Sequence, residues 1–264
     1  MALNFAATTD TVNFGSGTTL DNLDAFTYAL WICPRATGLD VTLLTKGTGA
    51  GNSRRVFLMG PLNNNMQCRI DNSGGGAAND GVAIADNVQV QDEWMFVAAT
   101  FAGGTGIAPV LYKGTLTTAV ASLSLSSSQN LASAASSNAA NDQLIGTHAA
   151  VPDLDIAWVG IWNVALTPGQ LLDQQFRPHK TSGCVLSAHL GHQGGTTVAD
   201  WSGNGNTGTI TTATVVPHVP LRPLFGGESG WRGAFTAAAA GGARPRLISG
   251  RLVNDGLLLR GIAA

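Results

Sequence analysis

Short apolar runs separated by glycine, asparagine, aspartate and serine recur along most of the chain. Such runs predict β-strands, because strands are short and bounded by turn formers, and helical periodicity is nearly missing here. Antiparallel strands joined by turns of this kind favour two sheets packed face to face. The pattern predicts strands at residues 11–14, 25–33, 41–45, 55–59, 66–70, 93–101, 108–112, 143–147 and 154–163.

One short helix is predicted directly after the last of these strands. Thr167 is suited to the N-cap and Pro168 to the first helical position. Leu171 and Leu172 then supply apolar positions within the first turns. The chain is therefore expected to be all-β with a single closing helix.

The composition changes at two places. Residues 118–140 are rich in serine and alanine and carry no charge, which predicts a strand continuing into a long surface connection. Prolines at 217, 220 and 223 precede paired glycines, and closely spaced prolines favour extended backbone. We therefore expect a sandwich domain at residues 1–216 and an extended C-terminal arm at residues 217–264.

The charge of the chain is low and unevenly spread. Charged residues make up 11% of the sequence, against about 25% in typical domains. Residues 1–216 carry a net charge of -6 and the arm carries +4. A basic arm on an acidic body predicts docking to neighbouring copies or to other acidic proteins, whereas a nucleic-acid partner is not favoured. The residues expected to anchor the arm are Arg222, Trp231, Arg244, Arg246, Arg251 and Arg260.

Cysteine usage and the N-terminus indicate a cytoplasmic site of synthesis. Cys33, Cys68 and Cys184 are an odd number without metal-ligand spacing, which favours buried thiols over a disulfide pair with one free thiol. The first residues lack the basic start and apolar core of a signal peptide. No run approaches the ~18 apolar residues of a membrane helix, so no membrane partner is expected.

The tryptophans have two interpretations. Indole faces stack on the apolar faces of sugars, but tryptophans are also the main large core formers of a chain with only two tyrosines. Trp158 and Trp162 have the same strand parity, so we expect both on one face, within the core between the sheets. Trp201 lies in a glycine-rich turn and is the exposed candidate for carbohydrate binding, together with Asn204 and Asn206.

Four segments in order resemble the laminin-G-like, concanavalin A-like jelly-roll family. The first is residues 26–32 with Trp31 followed by Pro34, and the second is residues 43–47. The third comprises the paired runs 94–101 and 111–116, the latter with a tight turn at Gly114. The fourth is the strand and helix at 154–172. The resemblance implies a two-sheet antiparallel jelly roll.

A further segment, residues 196–209, looks like the Asp-x-Ser-Gly-Asn-Gly-Asn-x-Gly turn of such domains. Its glycines allow positive φ, and its Asp and Asn side chains can bond the turn's own amides. In many family members this turn precedes the domain, whereas here it follows the closing helix. Residues 176–216 are therefore expected to be a permuted hairpin of the same domain. The flanks 176–178 and 216–220 are similar to laminin-G-like proteins of bacteriophage particles.

The resemblance also raises calcium and catalysis as questions. Family members often hold Ca²⁺ at a sandwich edge, and Asp10 and Asp155 are the corresponding candidates, with turn capping as the competing role. Glycosidases of this fold need an acid and a nucleophile about 5 Å apart. Asp153 and Asp155 share a strand face but lack a third carboxylate, and no Gly-x-Ser-x-Gly elbow occurs. No catalytic residue is predicted.

These observations favour a non-enzymatic structural protein of a virion. It would serve as a capsid decoration or tail-associated protein, anchored to copies of itself and to other virion proteins by its C-terminal arm. The alternative is a carbohydrate-binding adhesion module, with or without calcium, whose partners are host surface glycans.

Overall fold

The structure is a computed structural model that describes residues 1–47, 55–60, 62–73, 77–148, 153–191, 195–217, 246–248 and 251–253. Side chains at 55–56, 147–148, 246–248 and 251–253 are not described. The chain divides into two compact units, Met1–Phe225 and Gly226–Ala264. No described helix has both the length and the apolar character needed to cross a membrane.

The first unit consists of short antiparallel strands and one α-helix. The strands that precede the helix are β1 (Ala2–Phe5), β2 (Thr11–Asn13), β3 (Phe26–Pro34), β4 (Val41–Lys46), β5 (Arg55–Gly60), β6 (Asn65–Ile70), β7 (Gly81–Ala85), β8 (Met95–Phe101), β9 (Val110–Thr115), β10 (Ala121–Ser122), β11 (Ser127–Gln129), β12 (Gln143–Ile145), β13 (Thr147–His148) and β14 (Leu154–Trp162). The helix and the strands after it are α1 (Pro168–Phe176), β15 (Cys184–His189), β16 (Thr197–Val198), β17 (Gly208–Thr211) and β18 (Thr214–Val216).

These strands form two antiparallel sheets. Sheet I has the order β10-β9-β8-β3-β14-β1-β18, with β15 also paired to β14. Sheet II has the order β11-β7-β6-β5-β4-β12-β2-β17-β16, with β13 also paired to β4. The predicted two-sheet antiparallel sandwich is confirmed. The strands after α1 join both sheets, and residues 118–140 contain two short strands that take the chain from sheet I to sheet II.

Apolar side chains fill the space between the sheets. They come from alternate positions of both sheets and include Phe26, Leu30, Phe57 and Ile161. Burial of this apolar surface is the main force that holds the two sheets together.

A second apolar layer covers the opposite face of sheet I, and it holds the tryptophans. Trp31, Trp158 and Trp162 are fully buried there with Phe96 and Leu171. The expectation that Trp158 and Trp162 face the same way agrees with the structure, but their expected place between the sheets is wrong. α1 and its flanking residues supply the apolar cover that turns this outer face into a core, as the contribution of Leu171 indicates.

A bulge in β14 explains how its two faces are divided. The register against β3 shifts between Ile156 and Trp158, so Ala157 is an additional residue in the strand. Ile156 before the bulge and Val159 after it both point between the sheets, although their parity differs. The bulge therefore places Trp158 on the outer face.

Gly160 allows the two tryptophans of β14 to meet. Their ring centroids are 6.0 Å apart, and a Cβ at Gly160 would overlap ring atoms of both indoles. The indole nitrogens are also paired: Trp158 donates to Ser187 Oγ at 3.3 Å and Trp162 to Thr181 Oγ1 at 2.8 Å. These bonds offset the cost of burying the indole N–H groups away from water.

The helix begins where the sequence predicts. The Thr167 hydroxyl accepts from the amide of Gln170, and the Gln170 side chain accepts from the amide of Thr167, which completes a capping box. Near its end, the Gln175 side chain donates to the carbonyls of Thr115 and Thr118 and accepts from the amide of Val120. These bonds fasten the helix to the β9–β10 turn.

Within the second unit, the described residues form a hairpin of β19 (Arg246–Ile248) and β20 (Arg251–Val253). The predicted arm residues Arg222, Trp231, Arg244 and Arg260 lie outside the described residues. Arg246 and Arg251 are described by their backbone only. The division at residue 217 and the anchoring role of the arm stay predictions.

The three cysteines should be unreactive in the folded protein. All three are free and buried, as the sequence predicts. Burial raises the pKa of Cys33 and of Cys184 to about 11 and also raises the pKa of Cys68, so thiolate is scarce near neutral pH. We expect no alkylation by iodoacetamide at about pH 8 in the native protein and labelling of all three thiols after unfolding. Mass spectrometry of the labelled chain checks this, and rapid native labelling would contradict it.

Candidate functional site

A groove of about 360 Å³ lies at the end of the sandwich where β3 begins and β8 ends. We refer to it as the loop groove, because three loops form it. Its walls are Asn22 and Asp24, Gly104 and Thr105, and residues 134–137. This volume is at the lower end of the ~300–1,000 Å³ typical of small-molecule sites.

Glycines let the β8–β9 loop approach Asp24 closely. The amide of Gly104 donates to Asp24 Oδ1 at 3.1 Å. Gly103 and Gly104 both have positive φ, and a Cβ at Gly103 would lie 2.8 Å from Asp24 Oδ2. The carboxylate thus stands at the wall of the groove beside exposed backbone.

Asn22 lines the groove, and the segment that leads to it, residues 19–22, is held at three points; we call it the wall segment. Asn206 Nδ2 donates to Thr19 Oγ1 at 2.9 Å, and Lys46 Nζ lies 2.8 Å from Asp21 Oδ1. Asn22 and Asn138 are joined by two hydrogen bonds, in which the backbone N–H of each residue donates to the side-chain Oδ1 of the other, at 2.8 and 2.9 Å. The wall is therefore fixed before any ligand arrives.

The turn at residues 200–208 supplies one of these three contacts, the hydrogen bond from Asn206 to Thr19. Asp200 organises the turn: its Oδ1 accepts from the amides of Ser187 and Ser202, and its Oδ2 accepts from the amide of Asn206 and from Ser202 Oγ. Its bonds run from one part of the turn to the other and also to β15. The turn is thus a rigid support beside the wall segment.

The predicted carbohydrate-binding residues occupy different environments within this turn. Trp201 is 40% exposed and its ring meets that of His189 edge to face at 6.4 Å. Asn204 is exposed, but its Nδ2 bonds the carbonyls of Cys184 and Val185. Asn206 is buried, and its Nδ2 donates to Thr19 and to the carbonyl of Val185. Their role in sugar binding stays a prediction, and Asn206 has a clear structural role.

The two predicted calcium ligands also have structural partners. Asp10 Oδ2 accepts from the amides of Ala6 and Ala7, both at 2.8 Å. Asp155 accepts from Asn4 at 2.8 Å and forms a salt bridge with Arg35 at 2.5 Å. The part of the chain that the structure describes contains no group of three or more His, Cys, Asp or Glu placed to hold a metal. Calcium binding stays a prediction.

The loop groove was not predicted from the sequence. Its walls come from three loops that are far apart in the chain, and residues 134–137 fall in the stretch interpreted only as a surface connection. The signal that could have drawn attention to it is the run Gly103-Gly104-Thr105-Gly106, because closely spaced glycines permit close backbone approach.

The two antiparallel sheets define a jelly-roll β-sandwich. Residues 6–172 match the laminin-G model described as the Concanavalin A-like lectin/glucanases superfamily, and the chain belongs to this family. No match was found among curated proteins.

Solved structures are similar to this chain at low sequence identity. A Bacteroides ovatus protein for which carbohydrate binding has been suggested has a TM-score of 0.58 and 16% identity, covering 84% of this chain and 61% of its own. This chain thus spans less than two thirds of that relative. The heptameric SAP-like pentraxin of Limulus polyphemus has a TM-score of 0.44 and 10% identity, covering 66% of this chain and 80% of its own.

Proposed function

We propose that the protein is a non-catalytic carbohydrate-binding module whose ligand occupies the loop groove. The observation that carries this proposal is a braced groove in a lectin-like fold, whose largely apolar lining also carries hydroxyl, amide and carboxylate groups. Sugar hydroxyls both donate and accept hydrogen bonds, so they match such a lining. Because the wall segment is already fixed, little ordering opposes binding.

The lining supports binding rather than cleavage. Asp24 is the one ionisable side chain among the residues that line the groove. Glycosidases of the common type place two carboxyl groups on either side of the scissile bond. One carboxylate can accept hydrogen bonds from a sugar, but it cannot act as both the acid and the nucleophile of such a glycosidase.

A groove-filling variant tests this proposal. A glycan array probed with the full chain identifies ligands, and calorimetry with the best of them gives affinities. We expect Thr105→Arg to weaken binding at least tenfold, because the new side chain fills the groove and pairs with Asp24. Thr209→Arg, an exposed position on β17 in sheet II, is the matched control and should bind normally.

Two outcomes would contradict the proposal. One is an array without any bound glycan. The other is a ligand whose affinity falls with Trp201→Ala and not with Thr105→Arg, which would move the site to the turn at 200–208. Repeating the titration with a chelator tests the calcium prediction for Asp10 and Asp155 at the same time.

A structural role in a virion is a second candidate, favoured by the separation of charge. The net charge is -6 for residues 1–216 and +4 for residues 217–264. Complementary charges of this kind favour association between copies or with acidic neighbours. In this role the arm would attach the protein to a particle as a capsid decoration or tail-associated component.

Truncation at residue 216 tests the second candidate. We expect the full chain to form oligomers or to bind particles, and the truncated chain to remain monomeric and unbound, because it lacks the six arginines of the arm. Light scattering and co-sedimentation measure these two properties. If the full chain is monomeric, and removal of the arm changes neither its oligomeric state nor its binding to particles, this role is overturned. The glycan proposal would not be affected.

A further inference from the structure

Asp24 has an oxygen available to a ligand. Its Oδ1 accepts from the amide of Gly104, which is the one hydrogen bond that the described residues give to this carboxylate, and its side chain is exposed. No described lysine or arginine pairs with it. Its negative charge is therefore not neutralised within the groove.

Asn22 places an amide donor on the same wall. Its Oδ1 is used by the amide of Asn138, whereas its Nδ2 has no acceptor among the described residues. Leu23 between them is buried in the core, and both Asn22 and Asp24 line the groove. A hydroxyl group can accept from an amide and donate to a carboxylate, so this pair suits neighbouring hydroxyls.

We infer that the loop groove selects neutral, hydroxyl-rich glycans and rejects sugars that carry a carboxylate, with Asp24 as the residue that sets this specificity. The inference rests on the proposed function. A uronate or sialate would bring a second negative charge toward Asp24, and no cation among the lining residues offsets the repulsion. A neutral sugar instead donates its hydroxyl hydrogens to the same carboxylate.

Matched pairs of oligosaccharides test this inference. The probes are mannotriose, cellotriose and galactotriose, each with the counterpart in which C6 is a carboxylate, and the methyl ester of that counterpart. NMR titration of the full chain measures the affinities. For any pair that binds, we expect the neutral sugar to bind at least tenfold tighter than the uronate. The methyl ester should recover most of the loss, because it neutralises the charge and leaves the ring hydroxyls unchanged.

Asp24→Asn should reduce the preference for the neutral sugar to threefold or less. The substitution replaces a charged acceptor with a neutral one, which weakens the hydrogen bond from the neutral sugar. It also removes the repulsion between residue 24 and the uronate. Asp153→Asn is the control with the same change of charge. Asp153 is exposed and precedes Leu154, which pairs with Pro34 at the far end of β3, roughly 30 Å from Asp24. The control should keep the full preference.

The failures of the two proposals can be told apart. If no oligosaccharide or array glycan binds, the proposed function fails. If a uronate binds as tightly as its neutral partner, or the ester does not recover affinity, the inference on specificity is overturned while carbohydrate binding stands. The ester comparison uses only the unaltered protein, so the test does not depend on the folding of a variant.

Discussion

Replacing Trp158 by alanine should lower the free energy of unfolding by about 3–5 kcal/mol, the usual cost of removing a large buried aromatic. The side chain is fully buried and contacts Trp162 and Phe96, with ring centroids at 6.0 and 6.4 Å. The cavity would open in the apolar layer on the outer face of sheet I, next to these two rings.

Urea denaturation followed by circular dichroism measures this loss. The matched control is Trp201→Ala, because Trp201 is partly exposed and should cost less than about 1 kcal/mol. Equal losses at the two positions would contradict a buried second layer on sheet I. Selective loss at Trp158 would support it.

Replacing Asp200 by alanine should cost about 3 kcal/mol or more. Its carboxylate accepts from two backbone amides and one hydroxyl of the turn and from the amide of Ser187 in β15. Bonds to a charged acceptor contribute about 1.5–3 kcal/mol each, although not additively. The amides left behind have no equivalent acceptor. The melting temperature and the urea midpoint report the change.

The comparison variant for Asp200 is Asp173→Ala, an exposed position on α1 that should change stability by less than about 0.5 kcal/mol. A loss at Asp200 as small as that at Asp173 would mean that the turn contributes little to the sandwich. Measuring glycan affinity in the same Asp200 variant tells whether the turn also stabilises the wall segment through Asn206.

The elements that the sequence predicts well are those with a strong local signal. β3 and β14 are long and mostly apolar, and α1 carries its own capping residues. Strands β1, β7 and β15 lack such signals, because they are short or contain small residues. These segments become strands through pairing with their neighbours in the sheets. The outer tryptophan layer depends on one inserted residue, Ala157, and on where the helix packs, neither of which a strand pattern reveals.

The loop groove depends still more on long-range structure. Asn22, Gly104 and residues 134–137 meet only because β3 and β8 are neighbours and the chain crosses between the sheets. The spacing of these residues in the sequence does not predict that they lie close together. The residues that the sequence did single out, Asp10, Asp200 and Asn206, stood out through their resemblance to family motifs, and each of them has hydrogen-bonding partners in the structure.

The pairing of Ala2 with Val216 bears on the order of motifs along the chain. Because the first and last strands of the sandwich are neighbours, its two ends meet at one place on the surface. A polypeptide with adjacent ends can be cut and rejoined elsewhere while every strand keeps the same neighbours. We therefore expect that a rearrangement moving a hairpin from one end of the sandwich to the other would preserve the neighbours of every strand.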